Sequence, residues 1–458
     1  MSALEVLQGN LHHAKGASAT LCRIAQINNI ALGLIQEPWV FDGQIRGLNT
    51  KSGKLVYDRS IAVPRAAILI GGDVKYLPLT NFISRDLAAV LVEVPTLRGA
   101  TDIVMASAYF PGDEVTIPPS EVQQLINFCK STGRQLILGC DANAHHTVWG
   151  SSNDNKRGEY LLDYIMSVRL SIANKGSKPT FINAIREEVL DLTLCTRGIE
   201  ESIWNWRVSD EVSLSDHQHI RFEIPSISEQ QDKVYRPRKT NWLRYRDLVG
   251  SENFSLARPL RTCEEIELAA NHLGEVLLTS FHNSTVAGNA SIRGKVPWWN
   301  TQLANKRKLV RSLFNRAKRS GSWEQYRTAL TDYNNSIRQS KRASWRSHCD
   351  SIDRLPEAAR LHKALNKVKT NEVGLLKKPD GSFTTGREDT LEFLLQTHLP
   401  GSVSGPPTSH SYREVTAPTG QEYALSGVIF DRDKVKWAIN SFQPFKAPGG
   451  DGIYPALF

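Results

Sequence analysis

Residues 135–152, QLILGCDANAHHTVWGSS, join an apolar run directly to a cluster of polar side chains. The apolar part has the length and composition of a buried strand. Asp141 and Asn143 come where that strand should end. Strand ends converge on one edge of a layered α/β domain, where sites are usually built. The stretch therefore predicts an α/β fold with a polar site at a sheet edge.

The rest of the first half repeats this arrangement of apolar strands with polar residues at their ends. Nine strands are predicted, at 4–11, 30–36, 66–70, 87–94, 103–109, 135–139, 189–195, 203–208 and 218–224. Amphipathic stretches at 13–27, 119–132 and 158–168 are predicted helices between them. The polar residues at the other strand ends are Asn10, Glu37, Tyr109, Asp191, Asp216 and His217.

Carboxylates, amides and an imidazole gathered at one edge suit the hydrolysis of a phosphodiester. A hard divalent cation takes oxygen ligands and neutralises the charge of a phosphate. A histidine can move a proton at neutral pH, and a carboxylate on its second nitrogen fixes the imidazole. Each residue taken singly has a structural interpretation as a turn, cap or core side chain. Their recurrence at successive strand ends favours a hydrolytic site.

The charge of the chain is divided unevenly. The 458 residues carry a net charge of +9 and form two or three domains by length. Residues 1–224 hold 21 Lys+Arg against 24 Asp+Glu, so the excess of positive charge lies in the second half. Such asymmetry indicates an anionic partner, most simply nucleic acid. No membrane span, signal peptide or CxxC pair is recognised in the sequence, which predicts an intracellular protein.

The composition of the sequence changes after residue 224, where it becomes polar and charged. We predict a polar linker at 225–240, a basic helical region at 241–370 and a loop-rich connector at 371–425. Within the helical region, residues 293–347 carry 14 Lys+Arg against two acidic residues, with interleaved aromatic side chains. This stretch is either a solvated face or a surface that contacts phosphates, and attachment to a domain suited to phosphodiester hydrolysis favours the second.

The order of polar residues resembles the endonuclease/exonuclease/phosphatase superfamily over residues 1–224. The matching positions are Asn10, Gln36-Glu37, Tyr109, Asp141-x-Asn143, Asp191 and Ser215-Asp216-His217. Within that superfamily, GCDANAHHTVWGSS, with His145, Trp149 and Gly150, is similar to the version in non-LTR retrotransposon polyproteins. QPFKAPGGDGI at 443–453 resembles the start of their reverse transcriptases, so 426–458 is predicted to be the incomplete beginning of such a domain.

The resemblance implies a four-layer α/β sandwich, two packed sheets flanked by helices, followed by a mostly helical basic region. It also implies a role for each matching residue. Glu37 would hold Mg²⁺, or Mn²⁺, with help from Asn10 and Asp216. His217, oriented by Asp191, would polarise the scissile phosphate or act as a base. Asp141 would align or deprotonate the attacking water, Asn143 and Tyr109 would hydrogen-bond the phosphate, and Thr180 and Ser215 would assist substrate binding.

Two positions depart from the family pattern. His12 stands where repair enzymes often have an acidic residue near the metal, and no Asn follows Tyr109 closely, which leaves one phosphate contact unassigned. The polymerase aspartates would lie beyond Phe458, so the chain is expected not to polymerise nucleotides.

The resemblance implies Mg²⁺-dependent nicking of double-stranded DNA for retrotransposon integration. An abasic-site or other phosphodiesterase of the same superfamily, and an inactive nucleic-acid-binding remnant, are the alternatives. We also predict element RNA as a partner of residues 293–347, and a nuclear location.

A hairpin is expected to select the target. The segment Arg197–Leu214 joins the strand of Asp191 to that of His217, so both of its ends are expected beside the site. Trp204, Trp206 and Arg207 alternate along it, and packing of either Trp on the core is the competing interpretation. The free side chains are predicted to bind substrate in a DNA groove.

Overall fold

The computed structural model describes residues 2–48, 53–72, 74–96, 99–226, 235–251, 262–286, 296–353, 355–366, 373–399, 431–446, 448–449 and 452–458. Two compact units divide the chain: Met1–Ser228 with Arg293–Ser402, and Glu229–Ile292 with Val403–Phe458. The first unit thus contains the predicted endonuclease segment and also residues from the predicted helical and loop-rich regions. Residues 227–234 of the predicted linker and 400–425 of the predicted connector lie outside the described residues.

The described strands all belong to the first unit. They are β1 (Ser2–Asn10), β2 (Leu32–Gln36), β3 (Val40–Phe41), β4 (Gln44–Ile45), β5 (Lys54–Val56), β6 (Ala66–Ile70), β7 (Tyr76–Pro78), β8 (Leu87–Thr96), β9 (Gly99–Tyr109), β10 (Gln135–Asp141), β11 (Leu170–Ile172), β12 (Phe181–Ile182), β13 (Glu187–Glu188), β14 (Asp191–Thr196), β15 (Trp204–Val208) and β16 (Ile220–Ser226).

Helices occur in both units. The first contains α1 (Lys15–Ile27), α2 (Ser120–Ser131), α3 (Lys156–Ser167), α6 (Thr301–Ser320), α7 (Glu324–Asp350), α8 (Leu355–Asn366) and α9 (Arg387–His398), and the second contains α4 (Trp242–Ser251), α5 (Cys263–Ser284) and α10 (Arg432–Ser441). Among these described helices, none is long and apolar enough to cross a membrane. The segment predicted to be loop-rich contains α9, whose Arg387 pairs with Glu93 at 2.6 Å and Asp102 at 3.0 Å.

Two mixed six-stranded sheets form the centre of the first unit. One has the order β15-β16-β1-β2-β6-β5 and the other β11-β14-β10-β9-β8-β7. Each has one parallel pair, β1 with β2 and β9 with β10, and its other pairs are antiparallel. The pairing aligns the carboxyl ends of β1 and β2 in one sheet and of β9 and β10 in the other.

The two sheets pack face to face, with helices on both outer sides. Along β8, Val90 and Val92 point into the apolar layer between the sheets, whereas Ala89 and Leu91 pack toward α2 and α3. On the other side, β1 and β2 pack against α1, and buried residues of α6 and α7 belong to the same apolar cluster. Period-2 alternation with both faces buried explains why these strands are apolar throughout. The predicted α/β fold, with flanked sheets and a helical C-terminal region, is confirmed.

The second unit has a small core of its own. Tyr245, Leu277, Phe281 and Leu457 are buried together, and the Tyr245 hydroxyl donates to the Leu457 carbonyl at 2.8 Å. Helix α5 begins with a reciprocal cap in which Thr262 accepts from the Glu265 N–H.

Candidate active site

The strand ends of both sheets bring the predicted polar residues to one edge of the sandwich. Asn10 ends β1, and Glu37 follows its neighbour β2. Asp141 at the end of β10 lies opposite both Tyr109 and Asp191. Because all five belong to aligned strand ends, no long loop is needed to assemble them. This is the arrangement that the sequence pattern predicted.

His217 is buried beside Asp191. Nδ1 of His217 lies 2.8 Å from Oδ2 of Asp191, and the ring of Phe181 meets the imidazole edge-on at 5.0 Å between centroids. Burial lowers the pKa of His217, but the charges of Asp191 and Asp141 outweigh it and raise the pKa to about 9. The imidazole is therefore protonated at neutral pH.

Asp191 is held in place by its neighbours. Thr180 has no exposed surface, and its hydroxyl accepts from the backbone N–H of Leu190 and of Asp191, both at 3.0 Å. Asn174 Nδ2 donates to the Asp191 carbonyl at 3.0 Å. The predicted substrate contact of Thr180 is thereby corrected: the buried hydroxyl orients Asp191 and cannot reach a substrate.

Asp141 lies between an amide and the imidazole. Its Oδ2 accepts from Asn10 Nδ2 at 2.8 Å and is 3.9 Å from His217 Nε2. Its Oδ1 accepts from the Asn143 backbone N–H at 3.2 Å. Burial is the main cause that raises the pKa of Asp141. A carboxyl whose pKa is raised toward neutrality is suited to exchange a proton with water.

Tyr109 stays protonated at the other side of Asp141. Burial, reinforced by the charges of Glu37 and Asp141, raises the pKa of Tyr109 to about 12. Its phenol is consequently a hydrogen-bond donor at neutral pH. The Arg65 guanidinium lies 4.6 Å from the centroid of the Tyr109 ring and forms a bidentate pair with Asp86.

Glu37 and Asn143 have backbone conformations that are rare for residues with a side chain. Their φ angles are 43° and 46°, in the left-handed region. Such conformations persist only where the surrounding structure holds them, and they cluster at functional sites. Asn143 Nδ2 donates to the Phe110 carbonyl at 3.1 Å.

The Glu37 carboxylate is partly buried and ionised. Burial raises the pKa of Glu37, but hydrogen bonding by His13 and Asn10 outweighs burial and leaves the pKa below its ordinary value. Nε2 of His13 lies 3.5 Å from Oε1 of Glu37. An ionised carboxylate is a ligand that a divalent cation accepts, and the Asn10 side chain is close enough to hydrogen-bond it. The Asn10 oxygen also accepts from the His12 N–H at 2.7 Å, which leaves it one lone pair.

A second group of side chains could hold a metal. Ligand atoms of Asp141, Asp191 and His217 lie within 4.8 Å of one another, and Asp191 Oδ1 is buried without a hydrogen-bond partner among the described residues. The contact between His217 Nδ1 and Asp191, however, takes up one nitrogen and one oxygen of this group. Glu37 therefore fits a hard cation better.

The residues just before His217 occupy different environments. The Ser215 hydroxyl accepts from the His217 backbone N–H at 3.2 Å, which supports the turn that presents the imidazole. Asp216 is exposed, and its Oδ2 lies 3.8 Å from His12 Nδ1. His12 thus stands beside an acidic group of the site.

The predicted target-selecting hairpin does not begin beside the site. Asp191 is at the site, but β14 carries the chain to the opposite sheet edge before residue 197. Trp206 is buried between the sheets and donates Nε1 to Thr193 Oγ1 at 3.0 Å. Trp204 is partly exposed but pairs with Glu223, well along β16 from His217.

Arg207, which follows Trp206, also makes its contacts away from the site. Arg207 forms ion pairs with Glu5 at 3.7 Å and Glu223 at 3.9 Å. Glu5 is five residues before Asn10 on β1, so this pair lies away from the site. The prediction that Trp204, Trp206 and Arg207 bind substrate at a cleft rim is corrected by these positions.

Arg65 is a site residue that the sequence analysis missed. Its carbonyl accepts from the Glu37 N–H at 2.8 Å, in addition to its contact with Tyr109. The sequence feature that could have predicted Arg65 is its position directly before β6, which pairs antiparallel with β2. That pairing puts the start of β6 at the same edge as the end of β2, but it could not be read without the register.

Comparison with known proteins gives consistent matches. Residues 103–221 match the family model described as endonuclease-reverse transcriptase. The chain is 22% identical over 357 residues to the "Retrovirus-related Pol polyprotein from type-1 retrotransposable element R1" of Bradysia coprophila, covering 69% of this chain and 34% of that protein. The chain thus spans about a third of the length of this curated relative.

Solved structures extend the comparison. The "Endonuclease domain of TRAS1, a telomere-specific non-LTR retrotransposon" is 30% identical, with a TM-score of 0.43, covering 49% of this chain and 99% of that domain. The Xenopus laevis APE2 catalytic domain is 10% identical, with a TM-score of 0.39, covering 49% of this chain and 94% of that one.

The fold and the cluster of carboxylates, amides and imidazole define a hydrolase of the nuclease and phosphodiesterase class. Metal dependence is typical of this class of fold. The chain belongs to the endonuclease/exonuclease/phosphatase superfamily, as an endonuclease domain of the non-LTR retrotransposon type.

Proposed function

We propose that this protein nicks one strand of double-stranded DNA in a Mg²⁺-dependent reaction that serves retrotransposon integration. The observation that carries the proposal is the row of Asp191, His217 and Asp141, joined by contacts of 2.8 and 3.9 Å at the edge where the strand ends meet. A protonated imidazole, which can donate a hydrogen bond, and a carboxyl of raised pKa, which can exchange a proton with water, lie side by side there.

The side chains would divide the reaction between them. His217, as imidazolium held by Asp191, would donate a hydrogen bond to a non-bridging oxygen of the scissile phosphate. Asp141 would align the attacking water and accept its proton as the P–O3′ bond breaks, and the released 3′ oxygen would take a proton from solvent. Asn143 and Tyr109 would donate to the remaining phosphate oxygens. Donors aimed at developing charge in a buried site stabilise the transition state more than they would in water.

The metal would bind at Glu37, with Asn10 and Asp216 assisting. When bound, a divalent cation would supply charge neutralisation at the phosphate. The ionised Glu37 fits this role because it is the site carboxylate whose pKa lies below its ordinary value. The oxygen donors of this set suit both Mg²⁺ and Mn²⁺.

Nicking of supercoiled plasmid by the full chain tests this function. We expect relaxed circles with Mg²⁺ and none with a chelator. Glu37→Gln keeps the shape of the side chain but should weaken Mg²⁺ binding, measured by calorimetry, and nicking together. His217→Ala should abolish most nicking and leave DNA affinity largely unchanged, because its contribution lies in the transition state.

The same assay separates the alternatives. Cleavage confined to abasic duplex would identify a repair-type phosphodiesterase, and DNA binding without any cleavage would identify an inactive remnant. Either result would overturn the proposal. The proposal also includes two parts inferred from the retrotransposon type: residues 293–347 would hold element RNA, and the protein would act in the nucleus.

A further inference from the structure

We propose that the helical hairpin α6–α7 is part of the catalytic unit, because it holds the loop at residues 209–217 that carries Asp216 and His217. The inference rests on the proposed function in treating His217 as catalytic. It assigns to Arg307 of α6 the role of a positioning residue, which acts on the site through Glu211.

The outer face of α1 shows that the hairpin is a structural layer. Nine consecutive residues of α1, from Ala17 to Ala25, are buried, so this helix is covered on all sides. The sheet that contains β1 and β2 covers one side of α1. On the other side, α1 shares a core cluster with four buried residues of the hairpin, Leu303, Val310, Tyr333 and Ile337. A helix of this kind needs both covers to exclude water.

Leu214 of the loop is packed into that cluster. It is 7% exposed and belongs to the same cluster as Val310 and Tyr333. Its φ is 62°, a left-handed conformation that is unfavourable for a residue with a Cβ. A strained residue three positions before His217 is therefore held by an apolar contact with the hairpin.

Glu211 joins the loop to two helices. Its Oε2 lies 3.4 Å from Nη2 of Arg23 on α1 and 3.7 Å from Nη1 of Arg307 on α6. Arg23 is almost fully buried, and its guanidinium lies 4.5 Å from the ring centroid of Trp299. Arg23 is shielded from water, whereas the side chains of Arg307 and Glu211 are 32% and 30% exposed, so Arg307 adds a second, partly solvated charge to a buried one.

The far end of the loop touches α7. Burial raises the pKa of Tyr326 to about 12, and the charge of Asp216 acts in the same direction, which requires the two side chains to be close. Tyr326, Asp216 and Ser215 line one cavity of about 320 Å³. Lys318 of α6 also pairs with Glu187 of β13 at 2.8 Å. The loop is thus held at its start, middle and end.

Matched charge variants of the full chain separate positioning from simple attraction of DNA. Arg307→Ala and Lys308→Ala each remove one positive charge from α6, but Lys308 is exposed and forms no ion pair among the described residues. We expect Arg307→Ala to lower kcat for plasmid nicking about ten- to a hundredfold with little change in KM, since a reacting group displaced by about 1 Å can cost about 10²-fold. Lys308→Ala should lower kcat much less than Arg307→Ala does, and Arg307→Lys should restore most of the lost kcat.

Hydrogen exchange gives a readout that does not need nicking. The peptide at 209–217 should exchange faster in Arg307→Ala than in Lys308→Ala. The same peptide should exchange faster in Glu211→Gln than in Glu200→Gln, which changes an exposed residue as a control. These two near-isosteric variants replace the first pair if Arg307→Ala does not fold. Equal exchange within both matched pairs, or equal kcat losses, would overturn the inference. A wild type that does not nick would refute the proposed function, and the exchange comparison would still decide the role of the hairpin.

Discussion

Replacement of Asp191 by Asn tests how the site sets the charge of His217. The amide has almost the same shape as the carboxylate, and the Thr180 hydroxyl would still accept the N–H of residue 191. The negative charge 2.8 Å from His217 Nδ1 is lost. The variant therefore changes the proton affinity of the imidazole with little change in packing.

The size of the effect follows from the pKa of His217. Its rise from 6.5 to about 9 corresponds to about 3 kcal/mol in favour of the imidazolium. Asp191 is the largest of the charges that raise this pKa, and burial opposes them. Without Asp191, the pKa should return to about its ordinary value. At pH 7.5 roughly one imidazole in eleven would then be protonated, a loss of about tenfold. Loss of orientation should bring the fall in kcat to about 10²–10⁴-fold.

The dependence of this loss on pH tests whether Asp191 sets the protonation of His217, and the pH profile of the variant itself distinguishes an acid from a base. Nicking rates of wild type and Asp191→Asn would be measured from pH 5.5 to 8.5 with saturating Mg²⁺ and plasmid. If the imidazolium acts as a donor, the deficit of the variant should shrink about tenfold between pH 7.5 and 5.5, because the lost protonation is restored. A neutral base would give the same change in the ratio of the two rates. The nicking rate of the variant itself would then rise with pH from 5.5 to 7.5, however, whereas an imidazolium donor makes it fall. A deficit that is constant with pH, or that grows on acidification, would refute the reasoning.

Two further predictions concern stability. His219 is fully buried, and burial together with the charge of neighbouring arginines lowers its pKa to about 4. As the pH falls below 6.5, the unfolded chain therefore binds a proton before the folded chain does, and the protein loses stability. Relative to wild type, His219→Leu should gain about 3 kcal/mol in free energy of unfolding between pH 7.5 and 4, and a difference that is independent of pH would contradict this. Gly139→Ala would place a Cβ 2.8 Å from Gln8 in the layer between the sheets, and should cost about 1–3 kcal/mol. Gly112→Ala, whose Cβ would have only ordinary contacts, is the control, and equal melting temperatures would contradict the close packing.

The sandwich and most of the candidate site could be predicted because both depend on local patterns. A strand buried on both faces has to be apolar along its length, and a polar residue at its end marks the sheet edge. Asp141 at the end of β10 and Asp191 at the start of β14 are such marks, and antiparallel pairing puts them opposite each other. Arg65 carried no such mark, because it precedes its strand and its place depends on register.

The misplaced hairpin shows what local patterns leave out. The sequence gives the position of Asp191 but not the direction in which β14 leaves the site. Six residues of strand span about 20 Å, which is enough to carry the chain across the sheet. The alternation of Trp206 and Arg207 predicts a strand with one packed face, and β15 has that pattern. A register shift between Trp204 and Arg207 leaves Trp204 exposed, although it is two residues before the buried Trp206. The packed face belongs to the core of the sandwich, however, and the strand starts at the edge opposite the site.

Residues 293–347 are strongly basic, but they also contain an apolar helix face that belongs to the core. Leu303, Val310 and Ala317 are spaced seven residues apart and are all buried, so an apolar stripe was readable in the sequence. A stripe shows that a helix face is covered, but it does not show by what. The sequence of α1 carries the matching information, because small and apolar residues occur on every face of this helix. The sheet that contains β1 and β2 can bury only one of these faces, so a second element has to bury the other. Both signs together imply that a chain cut after residue 224 would expose α1 and Leu214 to water. The compact unit that contains the site therefore includes α6 and α7, although residues 229–292 of the chain lie outside it.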